Sequence, residues 1–428
     1  MEQLIDFLLF RDPNVRWVVL GVSMMCASSA IVGTFTFLRK RALIGDAISH
    51  AILPGICLAF LLTQQKASWI LLIGAFISGW LGLQSIDTIT RRTKLKADAA
   101  LGIVLSTFYG FGIVLLTMIQ NTGNAAQSGL DKFLFGKAAA LVQEDVITFS
   151  VFSILLILIV GLFFSAFRMI IFDRDHAQTL GLPIRKLELL LSTLTVFAVA
   201  IGIQAVGVVL MAALLITPAA AARYWTHNLY LMLILATAFA VFSGILGTFV
   251  SYTFPHMPTG PWIVAVLSVV ALLSIAFGRQ KGVWMAMRLQ RRNRTKMLLE
   301  NILKCMYHLG EKQGDFNQVY SFKALQAHRF IEDQQLKKGV RMLVHKGWIE
   351  SLKEGIRFKE EGLREGKRIV RIHRLWELYL TQHMNLPPDH VHEDAEAIEH
   401  IITPELEREL ERQLQHPTID PHNSVIPR

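Results

Sequence analysis

Three groups of ionisable side chains have a spacing that could do chemistry. In GDAISHAILPGI, Gly45 to Ile56, Asp46 and His50 stand four residues apart. On a helix they share one face, about one turn from each other. Near the other end of the chain His373 and Glu377 repeat that spacing. In VHEDAEAIEH, residues His392, Glu396, Glu399 and His400 fall at i, i+4, i+7 and i+8, also on one helical face. Imidazole with carboxylate suits a borderline divalent cation such as manganese, iron or zinc. For the first pair a plainer reading stays open, in which Asp46 caps a helix and His50 bonds to a neighbour. For the last group the plainer reading is an exposed helix of mixed charge.

The surroundings of these groups differ. Of 428 residues, 53% are hydrophobic and 18% charged, with a net charge of +10. The chain holds 43 Lys+Arg and 33 Asp+Glu, of which the last 133 residues take 20 and 21. The first 295 residues therefore carry 23 basic and 12 acidic side chains, while ten of the 14 His lie in the tail. This is an apolar, basic body with a polar, His-rich tail, which excludes one large soluble domain and a small disulfide scaffold. Cys26, Cys57 and Cys305 form no CxxC pair, so neither a disulfide framework nor a thiolate metal site is supported. Cys57 shares the face of Asp46 and His50, where it reads as a small apolar residue.

Crossing a bilayer takes about 20 apolar residues. Such runs recur at 17–38, 47–62, 68–86, 99–119, 146–167, 187–203, 205–222, 229–250 and 262–277. That predicts about nine spans, two of them short enough for one to be broken or re-entrant. The first run is too long, and is followed by too many others, for a cleaved signal peptide. Arg39 to Arg41, Arg91 to Lys96, Arg168 to Lys186, Arg223 and Arg279 to Lys296 make every second connection basic, whereas 121–128 and 256–260 are poor in Lys and Arg. The basic connections are expected in the cytoplasm, the N-terminus outside and the tail inside. Asp46 and His50 then fall within a span, where ionisable groups are costly and usually functional. Pro54 is expected to loosen the helix just after them and free backbone carbonyls. FDRDHAQTLGLP, Phe172 to Pro183, reads as a short polar helix closed by Gly181 and Pro183, either a surface loop or a docking helix for a soluble partner.

These stretches carry a resemblance. GDAISHAILPGI, KADAALGI (96–103), AQTLGL (177–182), VGVVLMAALLITPAAAAR (206–223) and PTGP (258–261) together resemble the manganese/zinc/iron permease family of ATP-binding-cassette importers, over residues 15–280. The resemblance implies a type II importer-like membrane domain working as a dimer, of two copies or of a copy and a paralogue. It would receive metal from an extracytoplasmic binding protein and be driven by a separate ATPase. It implies that Asp46 and His50 line the metal path. It also implies that Asp175, Ala177, Leu180, Gly181 and Leu182 belong to the helix contacting the ATPase. No GxxxxGK[ST] occurs, so no nucleotide is expected on this chain and the chain is not expected to be an enzyme. The location implied is a bacterial plasma membrane.

The tail reads as soluble and mostly helical. Met297 to Gly310 has helical apolar spacing. Phe322 to Ala327 and Glu332 to Lys346 suit a helix-turn-helix, and GWIESLKEGIRFKEEG suits a small β-hairpin wing. Lys337, Lys338 and Arg341 are candidate DNA contacts, although three positive charges on a helix usually mean a solvated face and Glu332-Asp333 would oppose phosphate. RIHRLWELYL, VHEDAEAIEHIITPELERELERQL and HPTIDPHNSVIP resemble the diphtheria-toxin-repressor and manganese-regulator family, over residues 297–427. By position, His373, Glu377, His392, Glu396, Glu399 and His400 match metal ligands. Glu396 stands where iron-type members use Cys, and the harder carboxylate favours manganese. Where the family's first helix supplies further ligands, this chain has Asn301 and Lys304, and a charged Lys cannot ligate. The expected organisation is a permease domain (1–280), a basic linker (281–295), a winged-helix-like domain (296–370) and a helical metal-binding and dimerisation domain (371–428).

Overall fold

The computed structural model describes residues 6–7, 9–11, 13–41, 43–65, 67–121, 143–254, 257–384, 386–387 and 402–427. The chain divides into two compact units, Met1–Met285 and Ala286–Arg428.

Every regular element among the described residues of the first unit is a helix. Its elements are α1 (Pro13–Leu38), α2 (Ile44–Ala51), α3 (Leu53–Thr63), α4 (Ser68–Arg92), α5 (Ala97–Asn121), α6 (Gln143–Leu162), α7 (Phe164–Phe172), α8 (Arg174–Thr179), α9 (Ile184–Val206), α10 (Val208–Arg223), α11 (Leu229–Thr253) and α12 (Thr259–Phe277). Among the described residues, eight helical stretches are long and apolar enough to cross a membrane, α2 and α3 together counting as one. The ninth expected run forms α10, whose 16 residues extend about 24 Å, short of a hydrocarbon core about 30 Å thick. Gly207, at φ +93°, joins α9 to α10 with no intervening loop.

Large apolar side chains cover the outside of this unit, among them Leu62, Leu158, Leu162 and Leu272. A helix that is apolar all round belongs in lipid. Inside, small residues let backbones approach, as in other membrane bundles. A Cβ at Gly33 would strike the carbonyl of Leu215, and one at Gly55 the carbonyl of Gly74. Hydroxyls link helices across the core, Ser28 to Ser153 and Thr36 to Thr195, both at 3.1 Å.

The basic connections gather at one end of this bundle. Arg41 pairs with Asp87 at 2.9 Å, Arg39 donates to Ser192 at 3.3 Å and Arg174 pairs with Glu188 at 3.3 Å. The ring of Phe7 packs against Phe249 and Tyr252, so α11 runs antiparallel to α1 and Leu229 returns to the Arg39 end. There the amide of Gln280 donates to the carbonyl of Tyr224 at 2.9 Å.

The second unit is built from α13 (Val283–Gln313), α14 (Phe322–His328), α15 (Asp333–His345), β1 (Ile349–Leu352), β2 (Gly355–Phe358), α16 (Glu360–His383) and α17 (Pro404–Gln413). The expected basic linker is thus helical from Val283 on. Ser321 caps α14 through the amide of Ala324 at 3.2 Å. Strands β1 and β2 pair antiparallel, Ile349 opposite Phe358 and Leu352 opposite Gly355. Ile302, Leu303 and Met306 of α13 meet Leu325, Leu336, Leu343, Ile356 and Val370 in one core. Helix-turn-helix plus hairpin gives a winged-helix unit, and α16 and α17 extend it through Ile372, Ile402 and Leu410.

Candidate metal sites

The membrane pair sits on α2. Asp46 lies in the first turn, yet the N-cap is Leu43 and no side-chain hydrogen bond caps the helix. The plainer reading of Asp46 as a cap therefore does not hold. Helix α2 ends at Ala51 because Pro54, in the first turn of α3, has no N–H for the carbonyl of His50. The Ser78 hydroxyl bonds the carbonyl of Ala51 at 2.6 Å, taking up one group freed at the break. His50 Nε2 lies 3.6 Å from Asp46 Oδ1, too long for a good hydrogen bond. The His50 ring stands edge-on to Tyr109 with centroids 4.8 Å apart. Its Nδ1 is buried and has no hydrogen-bond partner among the described residues. An imidazole nitrogen without a hydrogen-bond partner beside a carboxylate can be offered with it to a passing cation. Cys57 does not join them: its thiol is buried and faces the carbonyl of Gly112 at 3.8 Å. Sequence spacing gave no hint of Tyr109 or Ser78, which come from α5 and α4.

The six-residue α8 occupies the stretch expected to dock a partner. The Asp173 carboxylate caps it by accepting from the amide of His176 at 2.9 Å. It ends as expected at Gly181, φ +74°, whose amide bonds Gln178 while that of Leu182 bonds Ala177. Ala177 is fully buried and anchors the turn, while Asp175 and Leu180 face outward.

The tail pair differs. His373 and Glu377 lie on the buried face of α16, each about 3–4% exposed, with His373 Nε2 3.1 Å from Glu377 Oε1. The ammonium of Lys304, from α13, lies 3.1 Å from His373 Nδ1. Lys304 is itself 4% exposed. An ammonium has no lone pair, so Lys304 donates, Nδ1 accepts, and the ring proton sits on Nε2 towards Glu377. Around them lies a cavity of about 940 Å³. Arg374 crosses its wall to Glu311 at 2.7 Å and to Asp420 at 3.4 Å. Burial, then the Lys304 and Arg374 cations, push His308 down to about 4. Hydrogen bonds from Arg374 hold Glu311 below its ordinary value. Burial pushes the Cys305 thiol up to about 11.

His392, Glu396, Glu399 and His400 lie outside the described residues. Among the described residues no group of three or more His, Cys, Asp and Glu side chains forms a metal cluster. Asn301 Oδ1 is buried without a hydrogen-bond partner among them. On α15, Lys338 and Arg341 are exposed, but Lys337 is held by Asp333 at 2.6 Å.

Comparison with known proteins adds the following. Residues 11–278 match the model of the ABC 3 transport family. Residues 359–428 match that of the iron dependent repressor, metal binding and dimerisation domain. The manganese transport system membrane protein MntC of Bacillus subtilis is 41% identical over 383 residues, covering 89% of this chain and 87% of its own. The zinc transport system membrane protein TroC of Treponema pallidum is 45% identical over 292 residues, covering 68% and 97%. In the structure of PsaBC from Streptococcus pneumoniae in complex with Fab, one chain superimposes with a TM-score of 0.58 at 29% identity, covering 65% of this chain and 97% of its own.

Proposed function

The chain belongs to the ABC 3 transport family as a multi-pass membrane permease with a fused repressor-like domain, and from that membership we propose that it imports divalent metal ions, manganese first, with zinc or iron as alternatives. The names of the Bacillus and Treponema relatives support this cargo class. The observation that carries it is the uncommitted His50 Nδ1 beside Asp46 within a helical span. Asp46 and His50 would exchange part of the ion's water shell for carboxylate and imidazole.

The proposed partners are an ATP-binding-cassette ATPase, an extracytoplasmic metal-binding protein and a second permease copy or paralogue. Helix α8 with Asp175, Ala177, Leu180, Gly181 and Leu182 is the proposed ATPase contact, buried Ala177 giving it a foothold. The bundle end that carries Arg39, Arg41 and Arg174 would face the cytoplasm, where basic connections are retained. The N-terminus is then outside and the tail inside, in a bacterial plasma membrane. The deciding experiment is manganese uptake by vesicles holding chain, ATPase and binding protein, with Asp46→Asn and His50→Ala. Uptake that survives both changes rejects the metal path.

For the tail we propose a metal-reading domain that restrains transport as cytoplasmic metal rises, supported by the match over residues 359–428. Vesicles with and without residues 296–428 test it: equal uptake at every internal metal level rejects feedback. A formed winged helix favours a second reading, a metal-dependent DNA-binding regulator using Lys337, Lys338 and Arg341. A mobility shift with promoter DNA, with and without manganese, separates the two.

A further inference from the structure

We propose that the ammonium of Lys304 is the resident cation of the His373–Glu377 pair, so that this part of the tail is closed permanently by a lysine and takes no metal. The proposal rests on reading residues 359–428 as a metal-binding and dimerisation domain. Here the cation is tethered to α13 and reaches the α16 pair across the interhelical space, its Nζ 3.1 Å from His373 Nδ1.

Three features keep a metal out. His373 has spent both ring nitrogens, Nδ1 on Lys304 and Nε2 on Glu377. A ligating imidazole needs one of them bare. Lys304 is 4% exposed, so a metal would have to displace a buried ammonium and leave it beside a dication. Like charges at such distance repel strongly away from water. Finally, among the described residues the cavity wall holds Lys304, Lys312, Arg329 and Arg374 against Glu311, Glu377 and Asp420, four cations facing three carboxylates. Of these, Arg374 pairs with both Glu311 and Asp420.

The consequence is a division of labour. The α13–α16 junction does not respond to cytoplasmic metal. Any sensing by the tail falls to residues other than His373 and Glu377, with His392, Glu396, Glu399 and His400 the candidates by sequence position.

The test counts manganese bound at equilibrium to the full chain in lipid nanodiscs. Wild type and His373→Gln are expected to hold equal amounts. Lys304→Glu, which puts a carboxylate where the ammonium stands, is expected to hold one additional equivalent, and the added His373→Gln change to abolish that gain. Loss of one equivalent in His373→Gln alone overturns the proposal, because metal then occupies the pair in the presence of Lys304. A Lys304→Glu chain that keeps its tail folded, as followed by amide hydrogen exchange, and gains nothing also overturns it. Should that variant unfold, the wild-type and His373→Gln counts still decide. If His400→Ala also leaves the count unchanged, the reading of the tail as a metal-binding domain falls too, while uptake in vesicles reports on the permease separately.

Discussion

Asp46–His50 and His373–Glu377 are the same device in sequence, a carboxylate and an imidazole four residues apart on a helix. They differ in what surrounds them. The membrane pair is open, with side chains 43% and 21% exposed, a separation of 3.6 Å and a spare His50 Nδ1. The tail pair is sealed at 3.1 Å with side chains 3–4% exposed, and a lysine engages the imidazole's second nitrogen. Spacing writes the geometry, whereas the remaining lone pairs and the local charge decide whether a metal can enter. An open pair with a free nitrogen suits an ion in passage. A sealed pair with a built-in cation suits a joint.

The largest effect expected from this contrast is on transport. Partners one shell further from a metal are worth about 10–100-fold in affinity or activity. Asp46→Asn or His50→Ala, each removing a proposed contact to the ion, should lower the initial rate of manganese uptake at least that much. Glu377→Gln, measured in the intact chain, should change that rate by less than about twofold, because the sealed tail pair makes no proposed contact to the transported ion. Equal losses in Asp46→Asn and Glu377→Gln would break the comparison.

The next effect is on stability. Arg374 is buried and pairs with Glu311 and Asp420 around the sealed pair. Removing one partner of a buried ion pair costs about 3–5 kcal/mol. Arg374→Met should therefore speed amide hydrogen exchange across α16 in the full chain and leave α1 to α5 unchanged. Slowed or unchanged exchange in α16 would mean that this network does not hold the joint.

Much of this was legible in the sequence, for identifiable reasons. Apolar runs depend only on local composition, so the long apolar helices could be read directly, apart from the short run that forms α10. The wing and helix-turn-helix followed from turn residues between short amphipathic runs, and Gly181 stops α8 where expected. Pro54 announced the break that begins α3. What could not be read are contacts between distant segments. Tyr109 reaches His50 from another helix, and Ser78 reaches Ala51 across the α3–α4 packing. Alignment marked Lys304 as a non-ligand, but its place on His373 depends on how α13 packs against α16. Arg374, Glu311 and Asp420 are 46 to 109 residues apart in pairs and carry no shared spacing signal.

A smaller effect separates the units by pH. His308 is held at about 4 by burial and by Lys304 and Arg374, against an ordinary 6.5. Below about 6.5 the unfolded chain takes up a proton there that the folded chain refuses. Tail stability should be full above that pH and decline towards pH 4, by at most about 1.4 kcal/mol per pH unit for this one group. Glu311, held low by Arg374, adds a loss below about 4.5 as it protonates. Amide exchange in α13 and α16 between pH 7 and 4.5, corrected for its intrinsic pH dependence, measures this. His308→Asn should flatten the upper part of the profile, and an unchanged profile would locate the acid sensitivity elsewhere.

The smallest effect expected is on nucleic acid. Each phosphate neutralised by a Lys or Arg contributes about 0.9 to the salt slope of duplex binding. On α15, exposed Lys337 pairs with Asp333 at 2.6 Å, while Lys338 and Arg341 are exposed charges that the hairpin and helix leave accessible to phosphate. Two contacts give a shallow slope and an affinity of the non-specific order, about 10⁻⁴–10⁻⁶ M. Fluorescence anisotropy of a labelled duplex against the full chain in nanodiscs should therefore show weak, salt-sensitive binding that manganese does not strengthen. Lys337→Ala should change it least of the three substitutions. A manganese-dependent gain of tenfold or more, abolished by Arg341→Ala, would make the tail a working regulator and not only a domain of that shape.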